Sequence, residues 1–275
     1  MNPPKPSSIS AFTETNSIKI LTCNVKDVKD YDVLVAEILK ISIPIVCLQE
    51  CPDQVPLKDM IMRSFKANGY SGVRFAGSSN IIYLRSDALP TKKEYITFTN
   101  TNQKRGLIVY TYQLPLTFAG AENIIITREI KICTSQLESG GTGGGIRKSQ
   151  IRDLHTILIA NDDKVKKEKV DDDKSTTAST SGGGGSVIFV GDTNISTWQT
   201  ELNLTLPGVG NPRWMDAWRE KGTSENECTN IETYDRMDRV WYYSPDDNLK
   251  CISYNLFSPF PKATRLGVIV EFSLV

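Results

Sequence analysis

The chain has 275 residues, 39% of them hydrophobic and 23% charged, enough to bury one large core or two small ones. Its 32 Lys and Arg offset its 32 Asp and Glu, so no overall basic field draws in nucleic acid, and any such affinity must come from a local patch. No apolar run approaches the ~20 residues that cross a bilayer, and Met1-Asn-Pro-Pro-Lys-Pro lacks the apolar stretch of a signal peptide. Cys23, Cys47, Cys51, Cys133, Cys228 and Cys251 show no paired zinc spacing, and several lie in strand-like runs; they read as reduced packing residues. The expectation is a soluble, intracellular, monomeric protein, nuclear or cytoplasmic.

In chain order, residues 1–16 form a tail too polar and too rich in Pro to pack, and residues 17–275 read as one domain. Ile18-Lys-Ile-Leu-Thr-Cys-Asn24 alternates as a strand. Val33, Leu34, Ile38 and Leu39 predict a helix over Tyr31–Ile41, after which Pro44 punctuates entry into an apolar strand, Ile45–Leu48. A second helix is predicted from Leu57 to Ala67, stopping at Asn68-Gly69. Further strands are expected over Ser79–Leu84, Leu107–Leu114, Glu129–Thr134, Val187–Val190, Arg239–Tyr243 and Gly267–Leu274, with a helix over Arg147–Ala160. Paired strands separated by helices predict a four-layer α/β sandwich, two packed mixed sheets flanked by helices.

Two segments interrupt this frame. Gly140-Gly-Thr-Gly-Gly-Gly145 precedes the helix at Arg147 and reads either as a cradle of N–H groups for a phosphate or as a flexible loop, since no P-loop Lys-Ser/Thr follows. Residues 161–186 combine a mixed-charge run with Ser, Thr and Gly, a composition too polar to fold; a disordered surface insertion is expected, either tolerated or used for docking.

Several short words follow one another in a fixed order: Ile18 to Asn24-Val; Ile45-Val-Cys-Leu-Gln49-Glu50; Lys104-Arg105-Gly106-Leu107; Cys133-Thr-Ser-Gln136-Leu-Glu138-Ser139, followed by Arg147 and Gln150. Then come Gly191-Asp192-Thr193-Asn194, Met215-Asp-Ala-Trp218 and Tyr234-Asp-Arg236-Met-Asp238-Arg239. Together they resemble the endonuclease/exonuclease/phosphatase superfamily, and within it the tyrosyl-DNA phosphodiesterase 2 family most closely. Their order across residues 17–275 is far more specific than any single word.

That resemblance implies a site for cleaving phosphodiesters, which demands charge neutralisation on phosphoryl oxygens, an aligned water and proton handling. It assigns Glu50 as the main Mg²⁺ ligand, a hard oxygen for a hard cation. Asn24 would orient metal-bound water or phosphate, Asp192 would align and deprotonate the attacking water, and Asn194 would hold phosphate. Asp238 would support the network. Arg105, Gln136, Ser139 and Arg147 fall at substrate-binding positions. Arg236 and Arg239 read equally as phosphate contacts or as braces for the fold.

Three departures stand against catalysis. Gln136 occupies a His position and cannot carry positive charge. Arg265 and Leu266 occupy the Asp and His of a Ser-Asp-His word, and the only histidine in the chain is His155, inside the predicted helix. An aromatic word expected between Trp218 and Tyr234 is also missing, with Glu227-Cys-Thr-Asn-Ile in its place. Losses at two or three such positions, each ~10²–10³ in rate, predict a pseudoenzyme that binds nucleic acid, single-stranded DNA or RNA, or a protein partner. The alternative is a working Mg²⁺-dependent phosphodiesterase.

Overall fold

The two-residue period of the strands decides where the core lies. A computed structural model describes residues 17–75, 78–117, 125–140, 143–160, 185–196, 214–261 and 263–275; the tail at 1–16, residues 141–142 of the Gly-rich segment and nearly all of the 161–186 insertion lie outside these. In chain order the elements are β1 (Ser17–Asn24), α1 (Tyr31–Ile41), β2 (Ile45–Gln49), α2 (Val55–Ala67), β3 (Tyr70–Val73), β4 (Ile81–Arg85), β5 (Lys92–Thr97), β6 (Gly106–Thr117), β7 (Ile125–Gln136) and α3 (Gly144–His155). After a π-helical turn at Thr156–Ala160 come β8 (Ser186–Asp192), β9 (Met215–Asp216), α4 (Ala217–Lys221), β10 (Asp238–Tyr243), β11 (Leu249–Phe257) and β12 (Gly267–Leu274).

The strands form two six-stranded mixed sheets, ordered β11-β12-β1-β2-β4-β3 and β5-β6-β7-β8-β10-β9. Ile18 and Ile20 of β1, Ile45 and Cys47 of β2, and Ile188 and Val190 of β8 all point into the core between the sheets. The alternate positions face outward: Leu21, Cys23, Val46 and Leu48 pack against α1 and α2, while Val187 and Phe189 pack against α3. Because both faces of β2 and β8 are covered, those two strands read as nearly unbroken apolar runs, whereas β1 alternates at its start around the partly exposed Lys19. The result is the four-layer α/β sandwich that the sequence predicts.

α1 starts where expected because Asp30 accepts a hydrogen bond from the Val33 amide at 3.1 Å, and it ends at Ser42 in the left-handed conformation. The predicted helix from Arg147 begins earlier, at Gly144, and its final turn widens into the π-helical residues. β3, β5, β9, β11 and α4 escape the sequence reading. β5 is an edge strand with a charged start, Lys92-Lys-Glu94, and β11 exposes Lys250 and carries a bulge between Cys251 and Ser253. Neither presents the continuous apolar pattern of a central strand. Among the described residues no helix is long and apolar enough to cross a membrane.

Candidate functional site

The residues singled out at strand ends converge because four central strands finish on the same edge of the sandwich. β1 and β2 run parallel with Asn24 opposite Gln49, and β7 and β8 run parallel with Gln136 opposite Asp192. β10 runs back against β8 with Asp238 opposite Asp192. Gly191 allows the tight approach of β7 and β8. Its φ is +156°, and a Cβ there would lie 2.0 Å from the Ser135 carbonyl oxygen, closer than any side chain tolerates. Glu50 leaves the end of β2 at a φ of +53°, which turns its carboxylate back toward β1.

At the centre, the Asn24 Nδ2 donates to Glu50 Oε1 at 2.9 Å and to Asp192 Oδ2 at 2.7 Å. The Gln136 amide also donates to Glu50 and, at 3.5 Å, to Asp192, while its carbonyl accepts from Arg105. Asp192, fully buried, takes the Asn194 amide N–H on Oδ1 at 2.9 Å, and Arg265 Nη1 stands 3.8 Å from Oδ2. The Asn194 side chain donates to the Leu137 carbonyl at 2.9 Å, tying the β8 turn to β7. The structure therefore brings Asn24, Glu50, Arg105, Gln136, Asp192, Asn194 and Arg265 together.

Asp238 is different. It is fully buried, and neither carboxylate oxygen accepts a hydrogen bond within 3.5 Å. Burial raises its pKa well above the ordinary carboxylate range, and the Asp192 charge raises it further; Arg265, Thr229 and the Asn24 backbone pull the other way without prevailing.

Other expected contacts are absent from this cluster. Arg147 is buried and donates to the Glu138 and Gly140 carbonyls at 3.0 and 3.1 Å. Ser139 exchanges hydrogen bonds with Gln103 at the rim. Arg236 and Arg239 both reach Asp216, at 3.6 and 3.5 Å, and Arg236 lies 3.8 Å over the Trp218 ring. These contacts give both arginines a bracing role in the fold. His155 ends α3, the helix that packs on the outer face of the second sheet.

Three site residues went unnoticed in the sequence. Lys26 Nζ lies 3.9 Å from Glu50, and its amide binds Asn24 Oδ1 at 3.0 Å. Thr229 accepts both the Met237 and Asp238 amides at 3.0 Å and so holds the start of β10. Met237 meets Arg265 Nη1 through sulfur at 3.6 Å. Thr229 sits in the Glu227-Cys-Thr-Asn-Ile stretch, which was notable only for lacking aromatics.

The donor set fits a hydrolytic magnesium site poorly. Glu50 and Asp192 offer hard oxygens, but both are engaged by amide donors, and a guanidinium stands beside Asp192 where a cation would have to compete with it. Among the described residues no three His, Cys, Asp or Glu side chains gather so as to hold a metal ion. What remains is a compact network of amides, cations and carboxylates with no imidazole.

No family model and no curated protein matches the sequence. Solved structures do match over nearly the whole chain. D. rerio TDP2 complexed with single strand DNA product aligns over 94% of this chain and 99% of its own, at 19% identity and a TM-score of 0.62. The human Nocturnin catalytic domain with bound sulfate aligns over 94% of both chains at 17% identity, with a TM-score of 0.61. ANGEL2, a 2',3'-cyclic phosphatase, aligns over 94% of this chain and 96% of its own at 11% identity, TM-score 0.60. With its two packed six-stranded sheets and its strand-end cluster, the chain has the fold of the endonuclease/exonuclease/phosphatase superfamily.

Proposed function

We propose that this protein is a catalytically impaired member of that fold, related to tyrosyl-DNA phosphodiesterase 2, that binds single-stranded DNA or RNA through the strand-end cluster. The observation that supports this reading is the Arg265–Asp192 ion pair. In this position a cation neutralises the carboxylate that would otherwise align and deprotonate water, and Leu266 supplies no proton. Hydrolysis loses its base, its proton carrier and much of its affinity for magnesium, while Arg105, Lys26 and Arg265 leave fixed positive charge for phosphate oxygens. The single strand DNA product bound to D. rerio TDP2, whose fold this chain shares, supports nucleic acid as the ligand class.

A second reading, a residual phosphodiesterase, draws on the retained hydrogen bonds of Asn24, Glu50 and Asp192. One experiment separates the two. The protein is incubated with Mg²⁺ and a 5'-tyrosyl single-stranded oligonucleotide, and binding is followed in parallel by anisotropy. The proposal expects binding that weakens with salt and with Arg265→Ala, and no product above the Asp192→Ala background. Product that requires Asp192 would establish the enzyme instead.

A further inference from the structure

α2 and the edge strand β3 enclose a groove of about 790 Å³, built from elements other than the strand ends that carry the cluster described above. The geometry points to this groove as a docking slot for an extended peptide with acidic side chains, which adds a strand to β3. Among the described residues β3 is the last strand of its sheet and pairs only with β4. The Ser86 N–H donates to the Gly69 carbonyl at 2.8 Å across that pair. Antiparallel alternation then turns the main-chain N–H and C=O of Tyr70 and Gly72 away from β4, on the stretch of β3 that lines the groove.

The other sheet edges are guarded and this one is not. β5 opens with Lys92-Lys-Glu94, β11 carries Lys250 and a bulge, and β9 has two residues. β3 reads Tyr-Ser-Gly-Val, with neither charge nor Pro to discourage pairing. Its four residues offer an edge of roughly 13 Å, at ~3.3 Å per residue. A slot between a helix and a free strand edge is a recurrent way of capturing extended peptides, in which main-chain bonds supply affinity and side-wall chemistry supplies selectivity.

The walls set the chemistry of the occupant. Met62 of α2 and Leu89 after β4 are exposed apolar side chains on the lining. Arg63 and Lys66 line it from α2; Arg63 spends one N–H on the Asp59 carbonyl within its own helix, at 3.1 Å. With Asp59 as the only acidic side chain on the lining, two cations face one carboxylate. Alternating apolar and acidic side chains complement that wall.

The test uses the intact protein and a fluorescein-labelled peptide alternating Val and Glu, followed by anisotropy. The Val/Glu peptide is expected to bind, and the same peptide N-methylated at alternate positions to bind at least about tenfold more weakly, because it has lost the donors for the β3 edge. An Arg63→Glu/Lys66→Glu protein is expected to reject the Val/Glu peptide and accept a Val/Lys one. These substitutions sit on the outer face of α2, and should either impair folding, the N-methylated arm still decides the matter on the unmodified protein. Absence of binding, binding indifferent to N-methylation, or displacement of the peptide by a single-stranded oligonucleotide would each overturn the assignment. Because the probe contains no phosphate, the outcome is independent of the nucleic-acid reading.

Discussion

Asp238 and Arg265 both act on Asp192, one as a neighbouring carboxyl and the other as a paired cation. A buried carboxyl with raised pKa keeps its proton in the fold while the unfolded chain releases it, so its contribution to stability is present at low pH and is lost as pH rises from about 4 until the folded carboxyl ionises. Asp238→Asn removes that ionisation. It should therefore raise unfolding stability by about 1–3 kcal/mol at pH 8 and by little at pH 4, a difference that denaturant melts at the two pH values will show. Equal effects at both would mean that Asp238 is already satisfied as an anion. At the same scale, Gln136→His, Arg265→Asp and Leu266→His together return a donor, a carboxylate and an imidazole to strand ends already in place. The triple variant is expected to gain Mg²⁺-dependent cleavage of a 5'-tyrosyl oligonucleotide, and adding Asp192→Ala should silence it. Arg265→Asp alone should tighten Mn²⁺ binding, read by water proton relaxation, because it replaces a repelling cation with a ligand.

Between elements, two contacts hold the register on which the cluster depends. Asp216, at the junction of β9 and α4, receives both Arg236 and Arg239 from β10 and its approach. Asp216→Ala removes a carboxylate shared by two buried guanidinium groups and should cost about 3–5 kcal/mol in a urea melt; a cost below about 1 kcal/mol would show that their other contacts suffice. Burial lowers the pKa of Arg239 to about 10, with Arg236 adding to the fall and Asp216 opposing it. Gly191 is the second contact. Placing a methyl group against the Ser135 carbonyl forces β7 and β8 apart, so Gly191→Ala should lower stability by more than about 3 kcal/mol and abolish oligonucleotide binding together with it. The uneven legibility of elements has the same origin. β1, β2, β6, β7, β8 and β12 stand out in the sequence because both their faces are covered, whereas β3, β5 and β11 lie at edges and mix charge, Gly and exposed positions with their apolar ones.

For the whole molecule, equal totals of acidic and basic residues mean that attraction to nucleic acid has to be local. Lys26, Arg105 and Arg265 surround the carboxylate pair of Glu50 and Asp192, so a modest number of phosphate contacts is expected. The slope of log affinity against log salt should be small, on the order of −1 to −2, compared with the steep slopes of extended basic surfaces. A slope beyond about −4 would place the binding surface elsewhere on the protein.

The sequence by itself determined the layers and the positions of the site residues. Strand period and helix spacing are local properties, and the ordered words from Asn24 to Asp238 mark strand termini, which the parallel pairings of β1 with β2 and of β7 with β8 and the antiparallel return of β10 bring to one edge. It also leaves no imidazole among the named site positions, since Gln136 and Leu266 are plain to read and the chain has a single histidine, His155. Only the tertiary structure decided which charges meet. Arg265 and Asp192 are 73 positions apart in the chain, Arg236 pairs with Asp216, and Arg147 with the Glu138 and Gly140 carbonyls. Such pairings follow from which strands become neighbours and which side chains are desolvated together. Periodicity encodes what a residue buries, while the partner it finds in burial depends on the packing of the whole molecule.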